Sequence, residues 1–440
     1  MTKIERMKLA EWVKDKALKE GADEVAVTIS NQRRIEIGCR ERKLENLKES
    51  TQNSLNLSIY AQHRYSSHST NDLRREALEK FISEAVAATK YLSEDPFRGL
   101  PDPKYYPGTD LPDLDINDPK YQGMDSARRV EMARNIEESA LDKSDKIISI
   151  TSGYNDVYFE TIRLHSNGFY GESSGTSFAA GASVTVKDDD GGRPEDWFWG
   201  NTRYRNDLPA AEVLGQEALR RALQKIGQKK IASGQFTMLV DNRSSGRLVS
   251  MFSGPLSGRS LQQKRSYLDG MLNQKIASEK LTVIDDPFVK KGLGSRHFDG
   301  DGLAAKRRVI IDKGVLKHYF IDDYYGRKLG MEPTTASASN ILFAYGDRSQ
   351  PDMIKNIKKG ILVTGFIGGN SNSTTGDFSL GIVGQLIENG VPVMPVNEMN
   401  ISGNAKDFWN QLAEVGNDPY PYSSWKCPSM LFDDIHFSGI

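Results

Sequence analysis

Residues 360–386 read GILVTGFIGGNSNSTTGDFSLGIVGQL, and this stretch most directly decides the fold. Its two ends, residues 360–365 and 378–386, are apolar runs with the length and β-branched content that strands prefer. The turn sequences Asp312-Lys313-Gly314 and Glu388-Asn389-Gly390 are hairpin signals. Similar apolar runs lie nearby at residues 235–240, 281–285, 307–311 and 316–320. We therefore predict a mostly β C-terminal domain over residues 233–440.

Two regions of mixed character precede this domain. Residues 1–95 contain amphipathic helical patterns at residues 4–19 and 71–92. Residues 120–232 repeat the order, with a helix at 124–142, strands, and a long helix at 210–229. Strand-like runs in the first region, which predict an antiparallel meander, lie at residues 24–30, 34–39, 43–50 and 54–60. The predicted fold class is α+β, with two N-terminal α+β regions followed by a mostly β C-terminal domain.

A proline-rich stretch separates the two N-terminal regions. Residues 96–119 contain prolines at 96, 101, 103, 107, 112 and 119. Proline at this density is incompatible with a regular helix or a paired strand. We predict a linker that wraps over the surface.

The composition narrows the class of protein. The 440 residues carry 58 Lys and Arg against 59 Asp and Glu, for a formal net charge of −1. A balanced chain has no general attraction for nucleic acid, so we predict no nucleic-acid partner. No stretch approaches the roughly 20 apolar residues of a membrane span, and the charged N-terminus is unlike a signal peptide. We therefore expect a cytoplasmic protein with no membrane partner.

Few residues suggest chemistry by themselves. None of the six histidines forms the i, i+4 pair of a helical zinc site. His297 shares a loop with Asp299 and Asp301, and imidazole with carboxylates can hold a metal, but a solvated turn is the favoured interpretation of this loop. Cys427 follows Lys426, and a neighbouring cation can activate a thiol. A buried structural cysteine is the favoured interpretation of Cys427.

Several ordered motifs in the C-terminal domain resemble the PmbA/TldD family, and more closely its PmbA (TldE) branch. Their order and spacing match over the whole domain, and the two preceding regions fit the family's N-terminal regions. The first motifs are Asp285-Asp286-Pro287, Lys291-Gly292-Leu293-Gly294-Ser295 and Phe298-Asp299-Gly300-Asp301-Gly302, followed by Gly314-Val315-Leu316 and Tyr324-Tyr325-Gly326-Arg327-Lys328-Leu329-Gly330. The last are Ser373-Thr374-Thr375-Gly376-Asp377-Phe378-Ser379-Leu380-Gly381, Ile401-Ser402-Gly403-Asn404 and Gly416-Asn417-Asp418.

The resemblance implies a cytoplasmic, dimeric protein connected with peptide proteolysis. In this family the TldD branch is a zinc peptidase, whose H-E-x-x-x-H helix and C-terminal cysteine supply ligands, and the PmbA branch is its partner. The corresponding residues 244–253 here read SSGRLVSMFS, without His or Glu. Cys427 falls near the family's cysteine, but one thiolate does not make a zinc site. We therefore assign no catalytic residue, no metal ligand and no cofactor.

The leading hypothesis is a non-catalytic subunit of a TldD/TldE-type metallopeptidase complex acting in peptide proteolysis and maturation. Its expected partners are a zinc-bearing TldD-like subunit and unfolded peptide, with a homodimer when the chain is purified alone. The candidate peptide-facing loop comprises Gly368, Gly369, Thr375, Gly376 and Asp377, and a tight β-turn in the core is the alternative for this loop. Two other functions stay open: a peptide hydrolase with its own site near His297, Asp299 and Asp301, and a DNA gyrase-interacting regulator.

Overall fold

The N-terminal half of the chain folds as one antiparallel sheet with four helices. The computed structural model describes residues 1–440. The sheet has six strands in the order β3-β2-β1-β4-β5-β6. The strands are β1 (Glu24–Arg40), β2 (Lys43–Ala61), β3 (Arg64–Thr70), β4 (Ile147–His165), β5 (Tyr170–Val186) and β6 (Glu195–Thr202), and the helices are α1 (Lys3–Lys19), α2 (Arg75–Thr89), α3 (Ser126–Ala140) and α4 (Ala211–Leu223).

Alternating side chains explain how one sheet supports all four helices. Val25, Val27 and Ile29 of β1 lie in a core with α1 and α2, whereas Ile35 and Ile37 of the same strand lie in a second core with α3 and α4. All five are odd-numbered, so both cores lie on the same face of the sheet. The even-numbered positions of β1 are on the other face.

The predicted meander is confirmed, but its division into four strands is wrong. β1 pairs without interruption with β4, and with β2 except for one bulge near its end. Between the two cores the strand carries polar residues that bond across the sheet, such as Asn31 to Asn53 at 2.8 Å. Apolar alternation is lost there because this part of β1 lies between the core covered by α1 and α2 and the core covered by α3 and α4, and not because the strand ends. The helix predicted at residues 210–229 is also shorter, ending at Leu223.

The C-terminal half is built on a β-barrel. The strand order is β14-β13-β12-β7-β16-β15, and pairing between β14 and β16 closes the ring. A second sheet has the order β10-β9-β8-β11. The strands are β7 (Gly234–Val240), β8 (Val283–Asp285), β9 (Arg308–Asp312), β10 (Val315–Leu316), β11 (Ile341–Phe343), β12 (Lys359–Ser371), β13 (Asp377–Glu388), β14 (Val391–Asn404), β15 (Leu412–Val415) and β16 (Met430–Ser438). Both halves together confirm the α+β class.

Five short helices complete this half: α5 (Asn242–Val249), α6 (Gly258–Gln262), α7 (Asp323–Leu329), α8 (Gln350–Lys355) and α9 (Ala405–Phe408). The barrel, the small sheet and helices α5, α6 and α9 share one core of 42 buried residues. The core includes the fully buried Trp409, which stacks on Phe252 with ring centroids 4.8 Å apart. None of the helices in the chain is long and apolar enough to cross a membrane.

The proline-rich stretch contains no helix or strand beyond the 3-10 turn Pro103–Tyr105. The Tyr106 hydroxyl donates to Asn167 Oδ1 at 2.8 Å, and the Asp118 amide donates to Thr176 Oγ1 at 2.8 Å. These bonds fix the stretch to the N-terminal sheet. Because that sheet is continuous across residues 1–95 and 120–232, the domain boundaries given above stay predictions.

Candidate functional site

Helix α5 occupies the position at which the resemblance places the zinc-binding helix. It begins directly after β7, where the Asp241 carboxylate accepts a hydrogen bond from the Arg243 amide at 2.8 Å. The Asp241 amide donates to the carbonyl of Val363 in β12 at 3.0 Å. Leu248 and Val249 are buried in the C-terminal core. The barrel therefore holds α5 rigidly, with its remaining face directed outward.

That outward face carries cationic and small side chains instead of metal ligands. Gly246 lies against Cys427, since a Cβ on Gly246 would be 3.7 Å from the Cys427 sulfur. The neighbouring α5 positions carry Arg243 and Arg247. Two guanidinium groups repel a dication, and neither has a lone pair to offer it. No group of three or more His, Cys, Asp or Glu anywhere in the chain is arranged to hold a metal, so the donor set does not fit zinc.

Cys427 is buried and lacks the environment of a nucleophile. Burial raises the pKa of the thiol to about 12, and the Ser245 hydroxyl only partly opposes this shift. At neutral pH the sulfur is therefore a protonated thiol, which is neither a metal ligand nor a strong nucleophile. The favoured interpretation of Cys427 as a buried residue agrees with this position.

Two open cavities of about 400 Å³ each flank α5. Both are lined by Trp197, Arg243 and Arg247; one extends toward Cys427 and the other toward β12. Arg243 stacks 4.6 Å from the Trp197 ring centroid and pairs with Asp196 at 3.0 Å. Burial opposes ionisation of Asp196, but Arg243 and Lys225 outweigh it and lower the pKa of this carboxyl. The Arg243 side chain is thus held in place by Asp196 and Trp197, whereas the Arg247 side chain is exposed to solvent.

The glycine-rich hairpin of β12 and β13 reaches the same place. A bulge follows Ile367, where Gly368 and Gly369 have φ of 64° and 84°. A Cβ on Gly369 would lie 2.2 Å from the Ser379 carbonyl oxygen, so only glycine fits. The Gly369 carbonyl accepts a hydrogen bond from Arg247 at 3.4 Å. The bulge is exposed and touches α5, so it is not a turn in the core.

The other three residues of the predicted loop form the hairpin tip. Asn404 Nδ2 donates to the carbonyl of Thr375 and to the Asp377 carboxylate, each at 2.9 Å. The Thr375 hydroxyl donates to the same carboxylate at 2.7 Å. Gly376 has φ of 89°, and a Cβ there would lie 2.9 Å from Asn404 Oδ1. The tip is thus organised by its own hydrogen bonds, separately from the bulge.

The three residues near position 300 do not converge. His297 Nε2 bonds to the Pro112 carbonyl at 2.8 Å and lines a different groove from Asp301. The buried Asp299 carboxylate accepts backbone N–H bonds from residues 301, 303 and 336 at 2.9–3.0 Å. The expectation of a solvated turn is therefore wrong, because the Asp299 side chain is buried and its hydrogen bonds hold the turn together.

Two residues of the α5 site, Trp197 and Arg247, were not predicted from the sequence. The i, i+4 spacing of Arg243 and Arg247 would place both on one face of a helix, and it was the signal that could have identified Arg247.

Comparison with known proteins agrees with this architecture. Residues 119–226 match the PmbA/TldA metallopeptidase central domain, and residues 233–439 match the PmbA/TldA metallopeptidase C-terminal domain. The fold and site are those of a metallopeptidase-related protein. The metalloprotease PmbA of Escherichia coli O157:H7 is 30% identical over 422 residues, which are 95% of this chain and 93% of that protein. The chain belongs to the PmbA/TldD family.

Two crystal structures are also similar. A proposed modulator of DNA gyrase from Bacteroides thetaiotaomicron is 43% identical, with a TM-score of 0.98 and complete coverage of both chains. TldE from Thermococcus kodakarensis has a TM-score of 0.88 over 98% of this chain and all of that one, at 20% identity. At that identity the second likeness shows the fold alone.

We predict that Cys427 is chemically silent. An alkylating reagent at pH 8 should label Cys427 far more slowly in the folded chain than in urea. The reason is that the pKa of the thiol is about 12 in the folded chain, against about 8.5 for an unfolded cysteine. Cys427→Ser should lower stability by about 1–3 kcal/mol by placing a hydroxyl in a buried site. Labelling followed by mass spectrometry, with Cys39 resolved as a separate peptide, measures the first effect. Equal labelling rates in folded and unfolded chain would contradict the prediction.

Proposed function

We propose that this chain is a non-catalytic subunit of a TldD/TldE-type metallopeptidase complex acting in peptide proteolysis and maturation. The observation that carries the proposal is the outward face of α5, where Gly246 lies against Cys427 and the neighbouring positions are Arg243 and Arg247. A zinc site needs three or four protein ligands, and the activated water needs a general base. This helix supplies neither, so the catalytic metal belongs to a separate, zinc-bearing TldD-like chain.

In this proposal the α5 face still contacts unfolded peptide. Trp197 is 45% exposed and offers an apolar surface, and exposed Arg247 has a single long hydrogen bond to Gly369. Gly368 and Gly369 leave the backbone of the bulge uncovered by side chains, so an extended peptide can approach it closely. Thr375, Gly376 and Asp377 support the hairpin from its tip. These features support the proposal that the hairpin is the peptide-facing loop of the subunit.

We further propose that the chain is cytoplasmic and forms a homodimer when purified without its partner. Val391 and Val393 are 58% and 50% exposed at the start of β14. They lie on either side of Pro392, where β14 bulges against β13. Exposed apolar residues of this kind are suited to burial against another chain.

Elemental analysis and a peptide assay of the isolated chain test the proposal. We expect no stoichiometric zinc and no cleavage of an unstructured peptide, with or without added zinc. The assay should include a zinc-bearing relative as a positive control. About one zinc per chain, together with hydrolysis that a chelator abolishes, would overturn the proposal, since it would require a ligand set that α5 lacks.

Gly376→Val should weaken hydrolysis by the assembled complex. The β-branched residue is strained at φ of 89°, and its Cβ would press against Asn404, which holds the tip. Backbone strain of this kind costs about 1–3 kcal/mol, so the loop should loosen while the rest of the chain stays folded. The matched control is Gly108→Val, because Gly108 has open space around it and no positive φ. Equal hydrolysis rates for both variants would remove the hairpin from the proposed peptide path.

A further inference from the structure

A small cavity lies between the two halves of the chain, away from α5. Its volume is about 230 Å³. One wall is the even-numbered face of the N-terminal sheet, with Thr28 of β1 paired to Arg163 of β4. The opposite wall is the C-terminal turn that contains Asp301. The residues around it are mainly polar or charged, which distinguishes the cavity from the apolar pocket beside the small sheet of β8, β9 and β11.

Arg163 reaches this cavity without an anionic partner. Its Nε donates to the Thr28 hydroxyl at 3.1 Å, and Nη1 donates to the Asp299 carbonyl at 3.3 Å. Both acceptors are neutral, and no carboxylate lies within ion-pair distance. Burial lowers the pKa of the guanidinium, although it remains charged because an arginine pKa stays far above neutrality. Its second terminal nitrogen, Nη2, is left without a protein partner.

Asp301 enters the cavity from the other side, also without a counter-ion. Its carboxylate accepts one long hydrogen bond, from the Asp323 amide at 3.4 Å. Burial, followed by the charges of Asp299 and Asp322, raises the pKa of Asp301 to about 7. The neighbouring Asp323 differs, because it pairs with Arg327 at 2.8 Å. Asp301 is therefore the carboxyl in this wall that lacks a cation.

Two half-buried, opposite charges, Arg163 and Asp301, thus line one small space without an ion-pair partner. A third charged residue of the lining, Arg98, instead lies over the rings of Tyr65 and Tyr324, at 4.5 and 3.6 Å from their centroids. Such charges are costly unless they are neutralised by a partner. We propose that this cavity binds a free α-amino acid, whose carboxylate pairs with Arg163 and whose ammonium group pairs with Asp301. A single zwitterion satisfies both charges and fills the gap between them.

The size and lining of the cavity restrict the ligand further. Sites for drug-sized ligands measure about 300–1,000 Å³, so this smaller space suits a molecule of few non-hydrogen atoms. Asn56, Ser58 and Ser67 line the part nearest β2 and β3, and the Tyr60 hydroxyl there has no hydrogen-bond partner in the chain. An amino acid with a small polar side chain matches these groups. The site lies outside the α5 groove and does not depend on the subunit function.

Calorimetric titration of the full chain with L-serine tests this site. At pH 8, above the pKa of Asp301, we expect saturable binding of serine. Ethanolamine lacks the carboxylate but stays protonated at pH 8, and N-acetyl-L-serine lacks the ammonium group. Each should bind at least about tenfold more weakly, because each loses one charge-assisted contact. Binding of all three compounds with equal affinity, or absence of serine binding up to about 10 mM, would overturn the proposal.

Asp301→Asn should weaken serine binding by at least about tenfold, because the amide keeps the shape and removes the charge. Asp433→Asn, which makes the same change at an exposed position, should bind serine as the unmodified chain does. Serine binding that is unchanged in folded Asp301→Asn would overturn the assignment. If Asp301→Asn fails to fold, the two serine analogues decide the question with the unmodified chain.

Discussion

Mixed with a zinc-bearing TldD-like chain, this protein should convert from a peptide-inert species into part of an active complex. We expect no hydrolysis of unstructured peptide by the isolated chain and chelator-sensitive hydrolysis after mixing. The physical reason is that α5 supplies neither a metal ligand nor a general base, so in the proposed complex the zinc-bearing chain must provide both. The rate of peptide hydrolysis should rise from background to an enzymatic rate on mixing, which is the largest effect that we predict.

Assembly can be measured before activity. Light scattering should show at least a dimer for the isolated chain, and size-exclusion chromatography should show exchange into a mixed complex. A stable interface of this kind buries more than about 1,000 Å² in total. The control is the zinc-bearing chain alone, assayed under the same conditions. A strictly monomeric chain that leaves the relative's rate unchanged would contradict the subunit function.

Asp156→Ala should strongly destabilise the N-terminal half. The Asp156 carboxylate accepts a hydrogen bond from Arg129 at 2.6 Å, and both side chains are almost fully buried. Tyr121 and Tyr154 also donate to it, at 3.0 and 3.1 Å. Removing the carboxylate leaves the Arg129 guanidinium in the core without a counter-charge, which typically costs about 3–5 kcal/mol. Urea unfolding followed by circular dichroism measures the change in the free energy of unfolding.

The control for this variant is Asp433→Asn on the exposed surface, which should change stability by less than about 0.5 kcal/mol. A loss below about 1 kcal/mol for Asp156→Ala would mean that water or a rearranged side chain compensates Arg129. Such a result would contradict the prediction that the Asp156 carboxylate stabilises the N-terminal half. Because the sheet is continuous, the unfolding transition should be shared by β1 to β6.

Local patterns predicted the elements whose signals are local. Helix α1 follows the predicted range closely, and it begins with a capping box in which Thr2 and Glu5 bond reciprocally. The C-terminal hairpin of β12 and β13 lies where its apolar runs and glycines indicated. In contrast, six strands went unpredicted, namely β3, β6, β11, β14, β15 and β16. Buried and exposed residues alternate along β6, but the acidic turn before it made the first residue of the strand hard to locate in the sequence. In β16 the adjacent charged residues Asp433 and Asp434 interrupt the apolar pattern.

The site was predictable only in part, because its contacts join distant segments. The absence of His and Glu from residues 244–253 was readable, and so was the proximity of this segment to Cys427 that the resemblance implied. The bond from Arg247 to Gly369 spans 122 residues, and no local pattern encodes it. His297 and Asp301 are close in sequence, yet the fastened turn at Asp299 sends them into different cavities.

The most direct test of the central claim is the hydrolysis rate of a mixed complex whose zinc-bearing chain has lost both histidines of its H-E-x-x-x-H motif. This chain remains unmodified in that complex, and assembly is verified by chromatography. If the chain is a non-catalytic subunit, the complex should hydrolyse no peptide above background, while the complex with the unmodified partner is active. Persistent, chelator-sensitive hydrolysis by the complex with the inactivated partner would show that this chain contains a catalytic metal site of its own.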